Sequence, residues 1–237
     1  MLETSRPSPD LFMESMFEAR KPFAIKAALD LGIFTAVSNG AATAEEIAAT
    51  CNVASRGARI LCDYLTIVGF LEKSDGRYAA TVDTATFLDR RSPAYLGDMA
   101  NFLLSPHHLT ILQELPAAVR GGGRKQSDSV TGDDHSIWTT FAKSMAAMMR
   151  PVAERLAARL EANKFTKPKA LDIAASHGEF GFAIARLNPE ARITALDWPS
   201  VLQVTRERAA EAGLTERMSY LEGSAFELDF KGPYDII

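Results

Sequence analysis

The stretch KALDIAASHGEFG, residues 169–181, decides the fold of this chain. Residues 170–174 have the apolar character of a buried strand, and a turn of small residues follows them and ends at Gly178. Residues 179–187 then have helical spacing. Small side chains let a ligand approach the main chain closely, and a helix presents free N–H groups at its start. The stretch therefore predicts a strand–turn–helix corner with a ligand above it.

An acidic residue follows at the end of the next predicted strand. Residues 193–196 are apolar, and Asp197 comes directly after them. A carboxylate at this point can accept hydrogen bonds from both hydroxyls of a ribose. The spacing Ser176-x-Gly178-x-x-Gly181 differs by one substitution from the dinucleotide fingerprint G-x-G-x-x-G. These features favour a nucleoside-bearing cofactor across the carboxyl ends of parallel strands. An ordinary α/β corner has the same pattern, and the spacing does not name the cofactor.

The composition is typical of a globular protein with one large or two small domains. The chain has 237 residues, of which 47% are hydrophobic and 24% are charged, and its net charge is −4. A negative net charge argues against a general nucleic-acid binder. The N-terminal residues are polar, unlike a signal peptide, and no apolar run is long enough to span a bilayer. With two cysteines, Cys51 and Cys62, we expect reduced thiols, no metal site and a cytoplasmic protein.

Residues 43–82 have the pattern of a winged helix. The predicted elements are helices at 44–50 and 55–68 and strands at 70–73 and 77–81. Thr43 and Glu46 form a capping box at the start of the first helix, and Ser55 is expected to cap the second. The turn Ser-Asp-Gly at 74–76 joins the strands as a hairpin. The order helix, turn, helix and two-stranded wing is that of a winged helix.

The charges of this unit favour a packing role over DNA binding. Arg56 and Arg59 stand in the first turn of the second helix, which is a small cationic footprint for a DNA reader. The acidic residues that oppose them are Glu45, Glu46, Asp63 and Glu72. We therefore predict that the unit serves packing or dimerisation.

An apolar helix is predicted at residues 11–31, with a kink or break near Pro22 and an end at Gly32. A helix this apolar at the start of a chain needs a partner surface. Together with the winged helix it offers more apolar surface than a small domain can cover by itself. We therefore predict a homodimer.

Three further helices are predicted at residues 95–104, 108–119 and 135–160. His107 and His108 are adjacent, so on a helix they point to different faces and cannot hold one metal ion as an i, i+4 pair can. Phe141 and Met145 lie one turn apart and share a face. A polar, flexible loop is expected at 127–134, and Pro151 is expected to break or bend the last helix.

The C-terminal third continues the alternation of helices and strands. We predict a helix at 200–212 that is capped by Ser200 and ended by Gly213, followed by strands at 218–221 and from 234 onward. The expected order of the parallel sheet is 3-2-1-4, counting residues 170–174 as strand one. A fourth strand at the chain end would be an exposed apolar edge, so we expect the sequence to be a fragment of a longer chain.

The chain resembles the S-adenosylmethionine-dependent O-methyltransferases of small hydroxylated molecules, of the plant caffeate type and the bacterial tailoring type. The resemblance rests on LDIAASHGEFG, on ALDWPSV after the second strand, on LEGSAFE after the third and on the winged helix before them. It implies an α/β fold with three parts. These are a mainly α winged-helix dimerisation domain at 1–104, a helical connecting segment at 105–166 that lines the substrate pocket, and an incomplete Rossmann-like class I methyltransferase domain with a parallel sheet at 167–237.

The resemblance also implies roles for individual residues. The donor S-adenosyl-L-methionine would place its ribose on Asp197, and S-adenosyl-L-homocysteine would be the product. The implied donor site comprises Ala174, Ser176, His177, Gly178, Asp197, Trp198, Ser224, Ala225 and Phe226. The implied acceptor is a small aromatic metabolite of secondary metabolism, methylated on a hydroxyl and held by Phe102, His107, Phe141 and Met145.

Three departures from the family pattern bear on these expectations. Ala174 and Ser176 stand where the family commonly has glycine, so we expect the backbone there to avoid positive φ. Ser224 and Ala225 replace an acid and a bulky residue. The family's histidine base lies beyond the fourth strand, so the catalytic residue is unknown and we expect this sequence alone to be poorly active or inactive. His177, in the donor turn, is not assigned that role.

Two other functions remain open from the sequence. Some members of the fold family bind the donor and catalyse hydroxylation, decarboxylation or pericyclic reactions. Alternatively, a winged-helix regulator that senses a nucleoside ligand would have the same two domains.

Overall fold

The computed structural model describes residues 7–123 and 136–237. The chain divides between Gly97 and Asp98 into two compact units. The first unit contains α1 Asp10–Glu18, α2 Lys21–Leu31, α3 Ile33–Ser38, α4 Ala44–Cys51, α5 Ser55–Ile67, β1 Leu71–Ser74, β2 Arg77–Ala80 and α6 Val82–Phe87. The second contains α7 Met99–Leu103, α8 Pro106–Gln113, α9 Leu115–Arg120, α10 Ser136–Arg159, β3 Lys169–Ile173, α11 Glu179–Leu187, β4 Arg192–Asp197, α12 Pro199–Glu211 and β5 Met218–Glu222.

The helix predicted at residues 11–31 is broken into α1 and α2. Pro22 lies in the first turn of α2, where its missing N–H would have had no helical partner. A new helix therefore begins there. Gly32 has φ +74° and ends α2, as predicted, and α3, which the sequence pattern did not reveal, follows at once.

The capping box of α4 is confirmed. The Thr43 hydroxyl accepts a hydrogen bond from the Glu46 N–H at 3.2 Å, and the Glu46 carboxylate accepts one from the Thr43 N–H at 3.0 Å. The predicted cap at Ser55 is wrong, because Ser55 is already the first residue of α5 and Ala54 is the N-cap. A cap needs non-helical backbone, which Ser55 does not have.

The wing is a two-stranded antiparallel hairpin of β1 and β2. Asp75 and Gly76 at its tip have φ of +50° and +76°, the left-handed pair that a type I′ turn requires. The predicted second strand ended at Thr81, but Thr81 instead caps the unpredicted helix α6 by accepting a hydrogen bond from the Thr84 N–H. The winged-helix order is otherwise as predicted.

The helices predicted at 95–104 and 108–119 have different bounds in the structure. The first is the short α7, and the second is split into α8 and α9. Pro106 and Pro116 each stand in the first turn of a helix, where proline is well tolerated. The two prolines therefore mark helix starts that the apolar pattern did not show.

The helix α10 continues through Pro151, so the expected break does not occur, and the alternative of a bend stays a prediction. The loop predicted at 127–134, and His135 as the start of the helix, lie outside the described residues. Apart from Met145, the buried residues of α10 have small side chains, which let neighbouring elements approach closely. Its buried residues are Ala142, Ser144, Met145, Ala146, Ala153 and Ala157.

The sheet of the second unit is parallel, with β4 between β3 and β5. Ile236 pairs with Ala170 in parallel on the other side of β3. The predicted order 3-2-1-4 is therefore confirmed. The predicted cap at Ser200 is wrong, because Trp198 is the N-cap of α12 and Pro199 is its first residue. In the described ranges no helix is long and apolar enough to cross a membrane.

Candidate active site

The turn after β3 contains two non-glycine residues in left-handed backbone conformation. Ala174 has φ +56° and Ser176 has φ +51°. The expectation that these positions avoid positive φ is therefore wrong. The chain must pass from β3 into α11 within five residues. Ala174 and Ser176 therefore adopt the left-handed backbone conformation that glycine would adopt more easily. For an L-residue this conformation costs roughly 1–2 kcal/mol.

Two glycines let α11 pack closely at the end of this turn. A Cβ on Gly178, which also has φ +78°, would lie 2.5 Å from the Phe182 ring. A Cβ on Gly181 would lie 2.6 Å from the Ile193 side chain on β4. The spacing that resembled the dinucleotide fingerprint thus reflects close packing of helix on sheet.

Asp197 ends β4 and holds the turn in place. Its Oδ2 accepts a hydrogen bond from the Ser176 N–H at 2.8 Å, and its Oδ1 accepts one from the Trp198 N–H at 2.8 Å. The Thr205 hydroxyl donates to the Ser176 carbonyl at 2.7 Å. Each carboxylate oxygen has two lone pairs, so Asp197 keeps the capacity to accept hydrogen bonds from a ligand.

A cavity of about 330 Å³ opens above this turn. Its lining residues are Trp138, Phe141, Ala174, Ser176, Asp197, Trp198 and Val201. Mostly apolar walls with one convergent carboxylate are typical of a small-molecule site, and the volume is at the lower end of the usual range. Within the described ranges the Ser176 Oγ is buried without a hydrogen-bond partner, so the turn offers a polar atom that a bound molecule can satisfy.

The cavity brings together five of the residues predicted from the sequence, on both the donor side and the acceptor side. These are Ala174, Ser176, Asp197, Trp198 and Phe141. It also adds Trp138 and Val201, which the sequence analysis missed. Trp138 precedes Phe141 by three residues on α10, and this i, i+3 spacing was the available signal.

His177 is buried behind the cavity wall. Its Nδ1 accepts a hydrogen bond from the Glu179 N–H at 3.2 Å. Its ring stacks on Phe141, with centroids 6.3 Å apart. Burial lowers the pKa of His177 to about 4, so the imidazole is neutral at neutral pH.

Of the other predicted acceptor residues, Phe102 contacts Phe141 directly. The Phe102 ring lies 5.0 Å from the Phe141 ring and 4.3 Å from the His108 ring. His107 has its ring 6.0 Å from His108, so His108 is the histidine that contacts Phe102. Met145 is buried one turn beyond Phe141. These contacts continue the aromatic wall away from the cavity.

The turn after β5 adjoins Asp197 through the Gly223 N–H, which donates to the Asp197 carbonyl at 3.0 Å, but none of its residues is among the described cavity lining. Ser224 and Ala225 are half-buried, and Phe226 is 91% exposed. The Ser224 Oγ accepts a hydrogen bond from the Phe226 N–H at 3.2 Å. Contact of these three residues with an adenine stays a prediction.

A buried acid lies directly after the turn, in a cluster of three arginines. The Glu179 carboxylate accepts hydrogen bonds from Arg208 at 2.6 Å, Arg186 at 3.1 Å and Arg150 at 3.3 Å. Burial alone would raise the pKa of Glu179, but hydrogen bonds from these guanidinium groups outweigh it and lower the pKa. The cluster ties α11 to α10 and α12.

A second carboxyl, Asp172, is half-buried near the end of β3. Its Oδ2 accepts a hydrogen bond from the Gly181 N–H at 3.1 Å. Burial raises the pKa of Asp172 to about 7, against the effect of that hydrogen bond and with a smaller contribution from Asp197. Over the described residues, no group of three or more histidine, cysteine, aspartate or glutamate side chains is arranged to hold a metal ion.

Two cations of the winged-helix unit, Arg59 on α5 and Lys73 on β1, are paired with the same acid. Asp63 accepts hydrogen bonds from Arg59 at 3.2 Å and from Lys73 at 2.6 Å. The Tyr78 hydroxyl donates to the same carboxylate at 2.7 Å. Charges paired in this way are less available to phosphates, which weakens the case for a DNA reader.

Comparison with known proteins identifies the family. A family model described as the O-methyltransferase dimerisation domain matches residues 13–90. The crystal structure of a protein from Nostoc punctiforme, assigned as an O-methyltransferase, has a TM-score of 0.88 and 42% identity over 98% of this chain and 70% of that one. This chain therefore belongs to the O-methyltransferase family with an N-terminal dimerisation domain, as the motifs predicted.

More distant relatives agree in fold. 3-Hydroxy-5-methyl-1-naphthoate 3-O-methyltransferase of Streptomyces sahachiroi is 24% identical over 216 residues, which are 90% of this chain and 62% of the relative. Human N-acetylserotonin methyltransferase, solved in complex with SAM, has a TM-score of 0.74 at 18% identity, over 96% of this chain and 69% of that one. The chain thus spans about 62% of the length of the curated relative.

Proposed function

We propose that this protein is an S-adenosylmethionine-dependent O-methyltransferase that acts on a hydroxyl group of a small aromatic metabolite. The observation that supports the proposal most strongly is the cavity, in which Asp197 and the turn after β3 face the aromatic side chains of α10. A donor-binding edge and an aromatic wall in one cavity are what methyl transfer to an aromatic hydroxyl requires.

The proposed donor side of the cavity consists of the turn after β3 and Asp197. In this proposal the Asp197 carboxylate accepts hydrogen bonds from the ribose hydroxyls, and Ala174, Ser176 and Gly178 let the methionine part lie against the backbone. The unpartnered Ser176 Oγ supports the fit of a polar ligand here. When bound, S-adenosylmethionine supplies an electrophilic methyl group.

The acceptor side is built from α10 and its neighbours. Trp138 and Phe141 form an edge-to-face pair that suits a planar aromatic ring, with centroids 6.3 Å apart. In this proposal the wall holds the acceptor hydroxyl toward the donor, and positioning supplies much of the catalysis. His177 is a poor candidate for the base, because its Nδ1 already accepts a hydrogen bond and its pKa is low.

We propose a homodimer formed through the first unit. The match to a dimerisation domain supports it, and so does the number of exposed large apolar residues on α1 and α2. These are Leu11, Phe12, Met13, Met16, Phe17, Phe23 and Leu31.

The free thiols Cys51 and Cys62 fit a reducing cytoplasm, which is the compartment we propose.

Intrinsic fluorescence gives a direct test of ligand binding. The two tryptophans of the chain, Trp138 and Trp198, both line the cavity. Titration with S-adenosylhomocysteine should therefore change the tryptophan emission. A second assay, with S-adenosylmethionine labelled in its methyl group and a panel of phenols and hydroxynaphthoates, should show transfer of the label to an acceptor. Binding without methyl transfer to any acceptor would favour other chemistry on the same donor.

A further inference from the structure

The side chain of His177 connects the turn after β3 with the aromatic wall of the cavity. Its Nδ1 satisfies the Glu179 N–H, one of the backbone donors in the first turn of α11 that has no helical partner. Its ring stacks on Phe141 with the planes inclined by 24°, and it lies 6.1 Å from the Phe180 ring. One side chain therefore supports both the start of α11 and a residue that lines the cavity.

The backbone around His177 is fixed from α12. The His177 carbonyl accepts a hydrogen bond from the Arg208 Nε at 3.2 Å, and the Ser176 carbonyl accepts one from the Thr205 hydroxyl at 2.7 Å. Thr205 and Arg208 are three residues apart and share a face of α12. These bonds fix the backbone from which the imidazole projects, and rotation of the ring away from Phe141 would break its hydrogen bond with the Glu179 N–H.

We propose that His177 is a positioning residue that couples the donor turn to the acceptor wall: its Nδ1 fixes the start of α11, and its ring face orients Phe141. The inference rests on the proposed function and assigns His177 no contact with a reacting atom. Because the imidazole is neutral, Nδ1 remains a hydrogen-bond acceptor at neutral pH.

Two substitutions separate these contacts. His177→Phe keeps a ring but has no acceptor for the Glu179 N–H, whereas His177→Asn keeps an acceptor but has no ring. The first measurement is the affinity for S-adenosylhomocysteine, determined by calorimetry on variants that keep Trp198, and it reports on the donor turn. Acrylamide quenching of Trp138 in ligand-free protein, in a Trp198→Phe background, reports on the wall, because the Trp138 and Phe141 rings are 6.3 Å apart.

The two variants should give opposite patterns. We expect His177→Phe to weaken S-adenosylhomocysteine binding about tenfold, the equivalent of one lost hydrogen bond, and to leave the quenching constant unchanged. His177→Asn should leave the affinity within about twofold and raise the quenching constant, because the loss of stacking loosens the aromatic wall. His177→Leu, which lacks both features, should change both measurements and takes the place of the asparagine variant if that one does not fold.

The outcomes distinguish the inference from the proposed function. Equal effects of His177→Phe and His177→Asn on both measurements would contradict the coupling and leave His177 with a general packing role. Failure of the wild-type protein to bind S-adenosylhomocysteine would overturn the proposed function. The quenching measurement needs no ligand, so an unchanged constant in His177→Asn would still overturn the support of Phe141.

Discussion

The backbone N–H of Ser176 donates a hydrogen bond of 2.8 Å to the Asp197 carboxylate. The acid that ends β4 therefore closes the turn that follows β3, and the same carboxylate faces the cavity. If Asp197 binds the ribose as proposed, ribose binding and the shape of the turn depend on each other. A substitution at Asp197 would then remove the proposed ligand contact together with the observed restraint on the turn.

Glycine at the strained positions of the turn should stabilise the protein. Ala174→Gly and Ser176→Gly each relieve a left-handed conformation that costs roughly 1–2 kcal/mol. Glycine also raises the entropy of the unfolded chain, which lowers the stability by about 0.4–1 kcal/mol. We therefore expect a net rise of about 0.5–1 kcal/mol in the free energy of unfolding. Urea unfolding measures it. The matched control is Ala175→Gly, because Ala175 is buried and outside the positive-φ set. Loss of stability in all three variants would contradict the assignment of strain.

The stability of the protein should depend on pH through Asp172. Its folded-state pKa of about 7 lies above the ordinary value near 4, so its contribution to stability is present below about pH 4 and is lost as the pH rises through 7. Asp172→Asn removes the buried charge, so it should raise Tm by about 4 °C at pH 8.5 and by less at pH 5. The same Tm difference at both pH values would show that Asp172 does not titrate in this range.

Removal of the charge on Glu179 should be strongly destabilising. Glu179→Gln leaves three guanidinium groups without their shared carboxylate, and we expect a loss of about 3 kcal/mol in the free energy of unfolding. Glu190 is a matched control, since it is an exposed acid 3.7 Å from Lys167, and Glu190→Gln should cost less than about 0.5 kcal/mol. Adding Arg150→Gln to Glu179→Gln should recover part of the loss. Similar effects of the two single substitutions would argue against a structural role for the cluster.

Charges placed on the apolar face of α1 should dissociate the dimer. Phe12→Asp together with Phe17→Asp places two carboxylates among the exposed apolar side chains of α1 and α2, and burial of unpaired charge in an interface is unfavourable. Light scattering should show a change from dimer to monomer mass at micromolar concentration. Phe226→Asp changes an even more exposed phenylalanine, in the second unit, and should leave the mass unchanged. A monomeric wild type would refute the proposed dimer.

The sequence predicted the fold best where spacing alone decides the structure. The helix Glu179–Leu187 and Asp197 at the end of β4 follow from apolar periodicity and are present in the structure. The strand predicted at 170–174 is present as Lys169–Ile173, one residue earlier. Helix starts were less predictable, because a proline or serine near a start does not show which residue has cap geometry. Ser55 and Ser200 were predicted as N-caps, but both lie inside their helices.

The candidate site was predictable only in part, because its geometry depends on tertiary packing. The positive φ of Ala174 and Ser176 is imposed by the path from β3 to α11, which overrides the preference of those residues. Trp138 lines the cavity with Phe141, and the i, i+3 spacing of the two residues indicates a shared face of α10 but does not show that this face borders the turn. The stacking of His177 on Phe141 joins residues 36 positions apart in sequence, and periodicity does not report such contacts.

The most direct test of the account is calorimetry of S-adenosylhomocysteine binding to the wild-type protein and to Asp197→Ala, with Glu190→Ala as a control for loss of an acid. The account predicts saturable binding by the wild type and the control, and binding at least tenfold weaker by Asp197→Ala, because the carboxylate bonds both the ribose and the turn. Equal affinity in Asp197→Ala and wild type would contradict it, and so would binding of NADH by the wild type in place of S-adenosylhomocysteine.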